Sequence, residues 1–174
     1  MTLDQSTVAP LFNADDERFM RHALSLAKKA ADMGEVPVGA VAVLNGQIIG
    51  EGWNLRETRR DALEHAEIMA IKEASVKTDA WRLSGVKLYV TLEPCLMCAG
   101  AIYQARIPEI VYGATDPKAG ACGSLYKIHE DTRLNHRFLV QSGLLAGECG
   151  GILKAFFRGR RQTSSTTSND DDVN

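Results

Sequence analysis

Apolar residues recur at helical spacing near the start of the chain. Phe19, Ala23, Leu26 and Ala30 form one stripe, and Met20, Leu24 and Ala27 widen it. Asn13 or Asp15 can cap this helix, which runs to about Met33, where Gly34 stops it. The period then shortens. Val38 to Leu44 is a β-branched apolar run, Asn45-Gly46 is a two-residue hairpin signal, and Gln47 to Trp53 returns as the partner strand. Further on, Glu64 to Val76 reads as a helix and Lys87 to Thr91 as a strand. Pro94 then opens a helix to about Ala105, and Ile110 to Tyr112 is a strand. Residues 113–135, rich in Gly, Asp and charge, read as loops around a short helix. Phe138 to Gln141 makes a last strand and Glu148 to Arg161 a last helix. A hairpin followed by alternating helices and strands specifies an α/β sandwich.

Composition changes this picture little. The chain has 174 residues, 45% hydrophobic and 24% charged, which suits one globular domain with a core that needs no disulfides. The formal net charge is −2, but Asp170, Asp171 and Asp172 are the only charges beyond Arg161. Residues 1–161 therefore carry 20 basic and 19 acidic groups, and any nucleic-acid-binding charge must be local. Met1 to Phe12 lacks a basic segment followed by an apolar run, so no signal peptide is expected. No stretch has membrane-spanning length, and a cytoplasmic protein with reduced thiols is expected.

The chemistry-bearing residues lie at two predicted helix starts. His65-Ala66-Glu67 opens one helix, and Pro94-Cys95-Leu96-Met97-Cys98 opens the next. Cys95 and Cys98 are three apart, a spacing that puts both on one helix face. Proline is tolerated at a first helical position, and a helix N-terminus favours thiolate. With His65 they make three ligands suited to zinc (Zn2+), leaving a fourth position for water. Zinc lowers the pKa of such a water to about 7. Glu67 is then free to act as general acid and base, the H-x-E…P-C-x-x-C pattern of zinc deaminases. A structural zinc site would need a fourth protein ligand, for which Cys122 and Cys149 are candidates outside any paired knuckle. A thiol redox pair would leave His65 and Glu67 without a role. His22, His129 and His136 have no ligand-spaced partner.

From about Asp15 to Arg161 the sequence resembles the bacterial tRNA-specific adenosine deaminases. The resemblance rests on Glu35 to Ala40, Gly50 to Asn54, His65 to Ala70, Val90 to Cys95 continuing to Gly100, Gly120 to Leu125, Asn135 to Arg137, and Phe156-Phe157-Arg158 with Arg160-Arg161. It implies a three-layer α/β/α cytidine deaminase-like fold with a five-stranded mixed sheet, and a homodimer. It implies hydrolytic conversion of adenosine to inosine at the wobble position of a tRNA anticodon, with an arginine tRNA as the expected partner. Carried over by motif, Asn54 should hydrogen-bond the purine, Val36 should pack against it, and Asp116 should touch the RNA backbone. The Phe157 and Arg160 cluster should also meet RNA, since aromatics beside cations suit single strands. A free-base or nucleotide deaminase on the same fold, acting on guanine, cytosine or dCMP, stays open, as does a non-catalytic zinc module. The expected organisation is an N-terminal extension over 1–14, a deaminase domain over 15–161, and a disordered acidic tail over 162–174.

Overall fold

The computed structural model describes residues 11–166. The expectations for the extreme N-terminus, and for the tail beyond Thr166 with its three aspartates, lie outside those residues. Helix α1, Ala14–Asp32, begins at Asn13, whose side chain accepts from the Asp16 N–H while Asp16 accepts from the Asn13 N–H. This reciprocal capping satisfies two of the donors a helix start leaves open. All seven residues of the predicted stripe are buried.

Strands β1 (Gly39–Leu44) and β2 (Gln47–Trp53) form the expected hairpin. Its turn puts Asn45 at φ 50° and Gly46 at φ 76°, the left-handed pair that a tight hairpin requires. A four-residue helix, α2 (Arg56–Arg59), follows, then α3 (Ala66–Thr78), β3 (Lys87–Leu92), α4 (Leu96–Gln104) and β4 (Glu109–Ala114). A short 3₁₀ turn at Ile128–Glu130, β5 (Leu139–Ser142) and α5 (Ala146–Thr166) complete the described chain. Helix α5 thus continues past Arg161 to Thr166. A helix already nucleated adds each further residue cheaply, so even the Ser/Thr-rich segment can extend it.

The sheet order is β2-β1-β3-β4-β5, with β1 antiparallel to β2 and β3, and β4 parallel to β3 and β5. Residues alternate between two buried faces. Ala40, Ala42, Leu88, Val90, Ile110 and Tyr112 pack with α3 and α4. Val41, Val43, Tyr89 and Val111 pack with α1 and with Cys149 of α5. This is the expected three-layer α/β/α architecture with a five-stranded mixed sheet. Among the described residues no helix is long and apolar enough to cross a membrane.

Glycine at one strand position seats the helix that matters most. A Cβ on Gly52 would lie 2.0 Å from the Ala66 carbonyl oxygen and 2.8 Å from the Ala70 nitrogen. Only glycine lets the first turn of α3 lie this close to β2.

Candidate active site

Both helix starts differ in detail from the sequence expectation. Pro94 is not the first helical residue, because α4 begins at Leu96 with Cys95 as its extended N-cap (φ −74°, ψ 177°). Cys95 and Cys98 are therefore N-cap and third residue, not two residues on one helix face. His65 is likewise the extended N-cap of α3. The extended backbone at each cap turns its side chain across the helix end. The two helix ends face each other, bringing His65 Nδ1 to 3.7 Å from Cys95 Sγ and 3.5 Å from Cys98 Sγ.

The three ligand atoms lie within 4.8 Å of one another, and one imidazole with two sulfurs is a donor set that suits zinc. Cys122 and Cys149 do not join them; His65, Cys95 and Cys98 are the group placed for a metal among the described residues. Cys122 sits in the core beneath α4 and Cys149 on the opposite face of the sheet. Burial pushes their thiols up to about 12 and about 11, which makes them poor ligands and poor nucleophiles.

Electrostatics divides the site. The hydrogen bond from the Cys98 thiol draws the Cys95 thiol down to about 4; burial opposes this, and His65 reinforces it. The same contact, with burial, pushes Cys98 up, and contact with Cys95 raises His65. Glu67, second residue of α3, is 4% exposed. Burial is the main reason its carboxyl rises to about 7, the range in which one group can both accept and donate a proton.

A cavity of about 160 Å³ opens over His65, Glu67 and Cys95. For scale, an enclosed cavity of about 150 Å³ accommodates benzene, so one aromatic ring fits and a larger nucleoside would extend through the open side. Val36, Val38, Asn54 and Arg56 line one side, and Leu92, Glu93, Asp116 and Ala119 also line it. Asn54 is held from both ends: its Nδ2 donates to the Val36 carbonyl at 3.2 Å, and its Oδ1 accepts from the Arg56 N–H at 3.2 Å. Glu35, buried behind this side, accepts from the Glu57 and Thr58 N–H groups at 3.3 and 2.6 Å. Asp116 Oδ1 accepts from the Lys118 and Ala119 N–H groups, closing its own turn.

Three of the five predicted substrate contacts, Val36, Asn54 and Asp116, therefore line the cavity. Phe157 and Arg160 do not. Phe157 is exposed on α5, edge-on to Phe156, while the Arg160 guanidinium lies over the Phe156 ring and donates to the Gly34 carbonyl at 3.4 Å. Two other histidines are engaged elsewhere. His22 meets Glu51 and His136 donates to the Ile107 carbonyl. Sequence reasoning gave Arg56 and Glu93 no role. A glutamate just before Pro94-Cys95 was the available signal for Glu93.

A model of the MafB19-like deaminase family matches residues 14–161. The chain is 51% identical over 147 residues to the tRNA-specific adenosine deaminase of Bacillus subtilis (strain 168), covering 84% of this chain and 91% of that one. It is 50% identical over 148 residues to the tRNA-specific adenosine deaminase of Haemophilus influenzae, covering 84% and 86%. Among solved structures, it is similar to one from studies of A-to-I editing by tRNA:A34 deaminases at the wobble position of transfer RNA. The TM-score there is 0.76 at 44% identity, over 78% of this chain and 99% of that one. A guanine deaminase from Bacillus subtilis gives a TM-score of 0.57 at 39% identity, over 65% and 71%. The chain belongs to the MafB19-like deaminase family, among its tRNA-specific adenosine deaminases.

Proposed function

We propose that this protein hydrolyses adenosine to inosine at the wobble position of a tRNA anticodon, using zinc held by His65 Nδ1, Cys95 Sγ and Cys98 Sγ. The observation that carries the reading is the convergence of those three donors with buried Glu67 at the foot of a ring-sized cavity. Zinc, when bound there, supplies Lewis acidity and an acidified water as nucleophile.

The chain's own residues do the rest. The target base must leave its stack to enter a cavity this narrow. Asn54, its amide fixed by Val36 and Arg56, presents its remaining hydrogen-bonding capacity to the purine, and Val36 packs against the ring. Glu67 takes a proton from the attacking water at its carboxylate. It delivers that proton to ring N1 as C6 becomes tetrahedral, then takes the proton of the new C6 hydroxyl and passes it to the departing amine, so that C6 becomes a carbonyl and ammonia leaves. Burial of Glu67 keeps bulk water from competing for the proton. Asp116 meets the RNA backbone at the cavity mouth, and Phe157 and Arg160 extend the RNA surface along α5.

A cytoplasmic homodimer acting on an arginine tRNA completes the reading. The dimer is supported by three exposed apolar side chains close to the site: Leu96 in the first turn of α4, and Leu125 and Tyr126 in the loop tied to Gly120.

The test compares turnover of an anticodon stem-loop carrying wobble adenosine with free adenosine and free guanine. Much faster deamination of the stem-loop is expected. Equal rates on stem-loop and free adenosine, or rapid guanine turnover, would favour the small-molecule chemistry of the guanine deaminase relative.

A further inference from the structure

Glu93 lies between the end of β3 and Pro94-Cys95, and the chemistry above gives it no proton to move. Its side chain is only 2% exposed. Its carboxylate accepts from the backbone N–H groups of Asp116 at 2.9 Å, Cys122 at 3.1 Å and Ser124 at 2.9 Å, and from the Ser124 hydroxyl. A carboxylate has about four lone-pair sites, and four donors fill them.

All four donors come from one stretch, residues 116–124, so that loop is wrapped around a single side chain. Gly120 closes the wrap, since a Cβ there would lie 2.3–2.5 Å from the Glu93 carboxyl atoms. The backbone adds a seam: Cys95 bridges Gly120, and the Ala121 N–H donates to the Pro94 carbonyl at 2.8 Å. Asp116 and Ala119, at the start of the loop, line the cavity with Glu93 itself. One buried anion thus joins the Cys95 helix start to the part of the cavity wall formed by Asp116 and Ala119.

We propose that Glu93 is a positioning residue for substrate affinity: its carboxylate holds the 116–124 loop at the spacing from Cys95 that lets Asp116 and Ala119 meet the bound nucleotide. The inference rests on the reading of the cavity as a nucleoside site. Breaking the wrap should loosen the substrate side while leaving the three metal ligands and Glu67 in place.

Glu93→Gln keeps the shape but replaces an acceptor oxygen with an NH₂ that faces N–H donors. For the stem-loop substrate, KM should rise about tenfold with kcat within about threefold, as expected for losing charge-assisted hydrogen bonds used only in holding the wall. Zinc should remain at one per chain. Ser124→Ala, which deletes one donor, should give a smaller rise in KM. In hydrogen exchange without substrate, the amides of Asp116, Cys122 and Ser124 should lose protection in Glu93→Gln while those of β1 and β3 keep theirs. A purely structural role would lower the unfolding temperature and leave KM unchanged in folded protein, overturning the proposal. So would a collapse of kcat with loss of zinc at constant KM. Should Glu93→Gln fail to fold, an unchanged KM in Ser124→Ala would overturn it as well. The exchange measurement needs no substrate: if the wild-type chain proves inactive on the stem-loop, the proposed function fails, while retained amide protection would still count against Glu93.

Discussion

Gly52→Ala tests whether the seating of α3 on β2 sets the geometry of the metal and proton-transfer groups. The added methyl would start 2.0 Å from the Ala66 carbonyl oxygen and 2.8 Å from Met69 Cβ. Real contacts of this kind begin near 3 Å, so the first turn of α3 must retreat by about 1 Å or more. That turn carries His65 at its cap and Glu67 at its second residue, while Cys95 and Cys98 belong to α4 and stay behind. A misplacement of about 1 Å in a catalytic group costs roughly 10²-fold in rate, and overpacking a tight contact costs about 1–3 kcal/mol of stability. We expect kcat/KM on the stem-loop to fall about 10²-fold and zinc to be held more weakly, with the secondary structure retained. Gly151→Ala is the control: it lies inside α5 with no atom within 4 Å of the new Cβ. It should leave activity unchanged and stabilise by about 0.4–1 kcal/mol, because alanine restricts the unfolded chain. Wild-type activity and zinc affinity in folded Gly52→Ala would refute the claim that this contact positions the site.

Three further outcomes can be checked. Glu67→Ala should keep its fold and its zinc by elemental analysis, yet lose activity by at least the 10²–10⁴-fold typical of a general acid–base group; loss of the metal would make Glu67 a ligand instead. Asp16 and Glu35 are both held below their ordinary values of 3.8 and 4.5: burial raises each, but Asn13, Tyr89 and Lys87 lower Asp16 further, and Thr58 and Glu57 do the same for Glu35. Depressed folded values mean stability that is complete above pH about 4.5 and lost as pH falls through the folded pKa values, so urea unfolding should show an acid limb that Asp16→Asn makes shallower; an unchanged limb would refute this. Replacing Arg158, Arg160 and Arg161 with Ala should weaken tRNA binding and flatten its log–log salt dependence by roughly 0.7–0.9 per lost phosphate contact, whereas an unchanged slope in binding titrations would remove α5 from the RNA surface.

The architecture was largely legible because its signals are local. Asn45-Gly46 announces its own turn, the Asn13 cap lies beside the helix it starts, and the α1 stripe repeats at helical period. The grouping of His65, Cys95 and Cys98 was legible for a different reason: few chemistries other than metal binding explain them together with Glu67. What escaped depends on distant partners. Helix α2 is three charged residues and a threonine with no apolar period, supported from Glu35 more than 20 residues earlier. Glu93 reads as an ordinary acid until a loop up to 31 residues away is folded around it. The start of α4 was misplaced by two residues because proline marks a helix opening without saying whether it stands inside or just before the first turn.

Strand β3 lies at the middle of the sheet, antiparallel to β1 on one side and parallel to β4 on the other. His65 precedes it in the chain, and Cys95 and Cys98 follow it. A ribosome therefore delivers the imidazole about 30 residues ahead of the thiols, and no partly synthesised chain that stops within β3 can chelate. The parallel β3–β4 pairing must also wait for α4 to be laid across as the crossover, and such non-local pairing is slow to form. Until then Cys98, which the folded chain buries, is an exposed thiol open to oxidation. Chelation by the proposed ligands would therefore come late in assembly, only after the whole of the central strand has been synthesised.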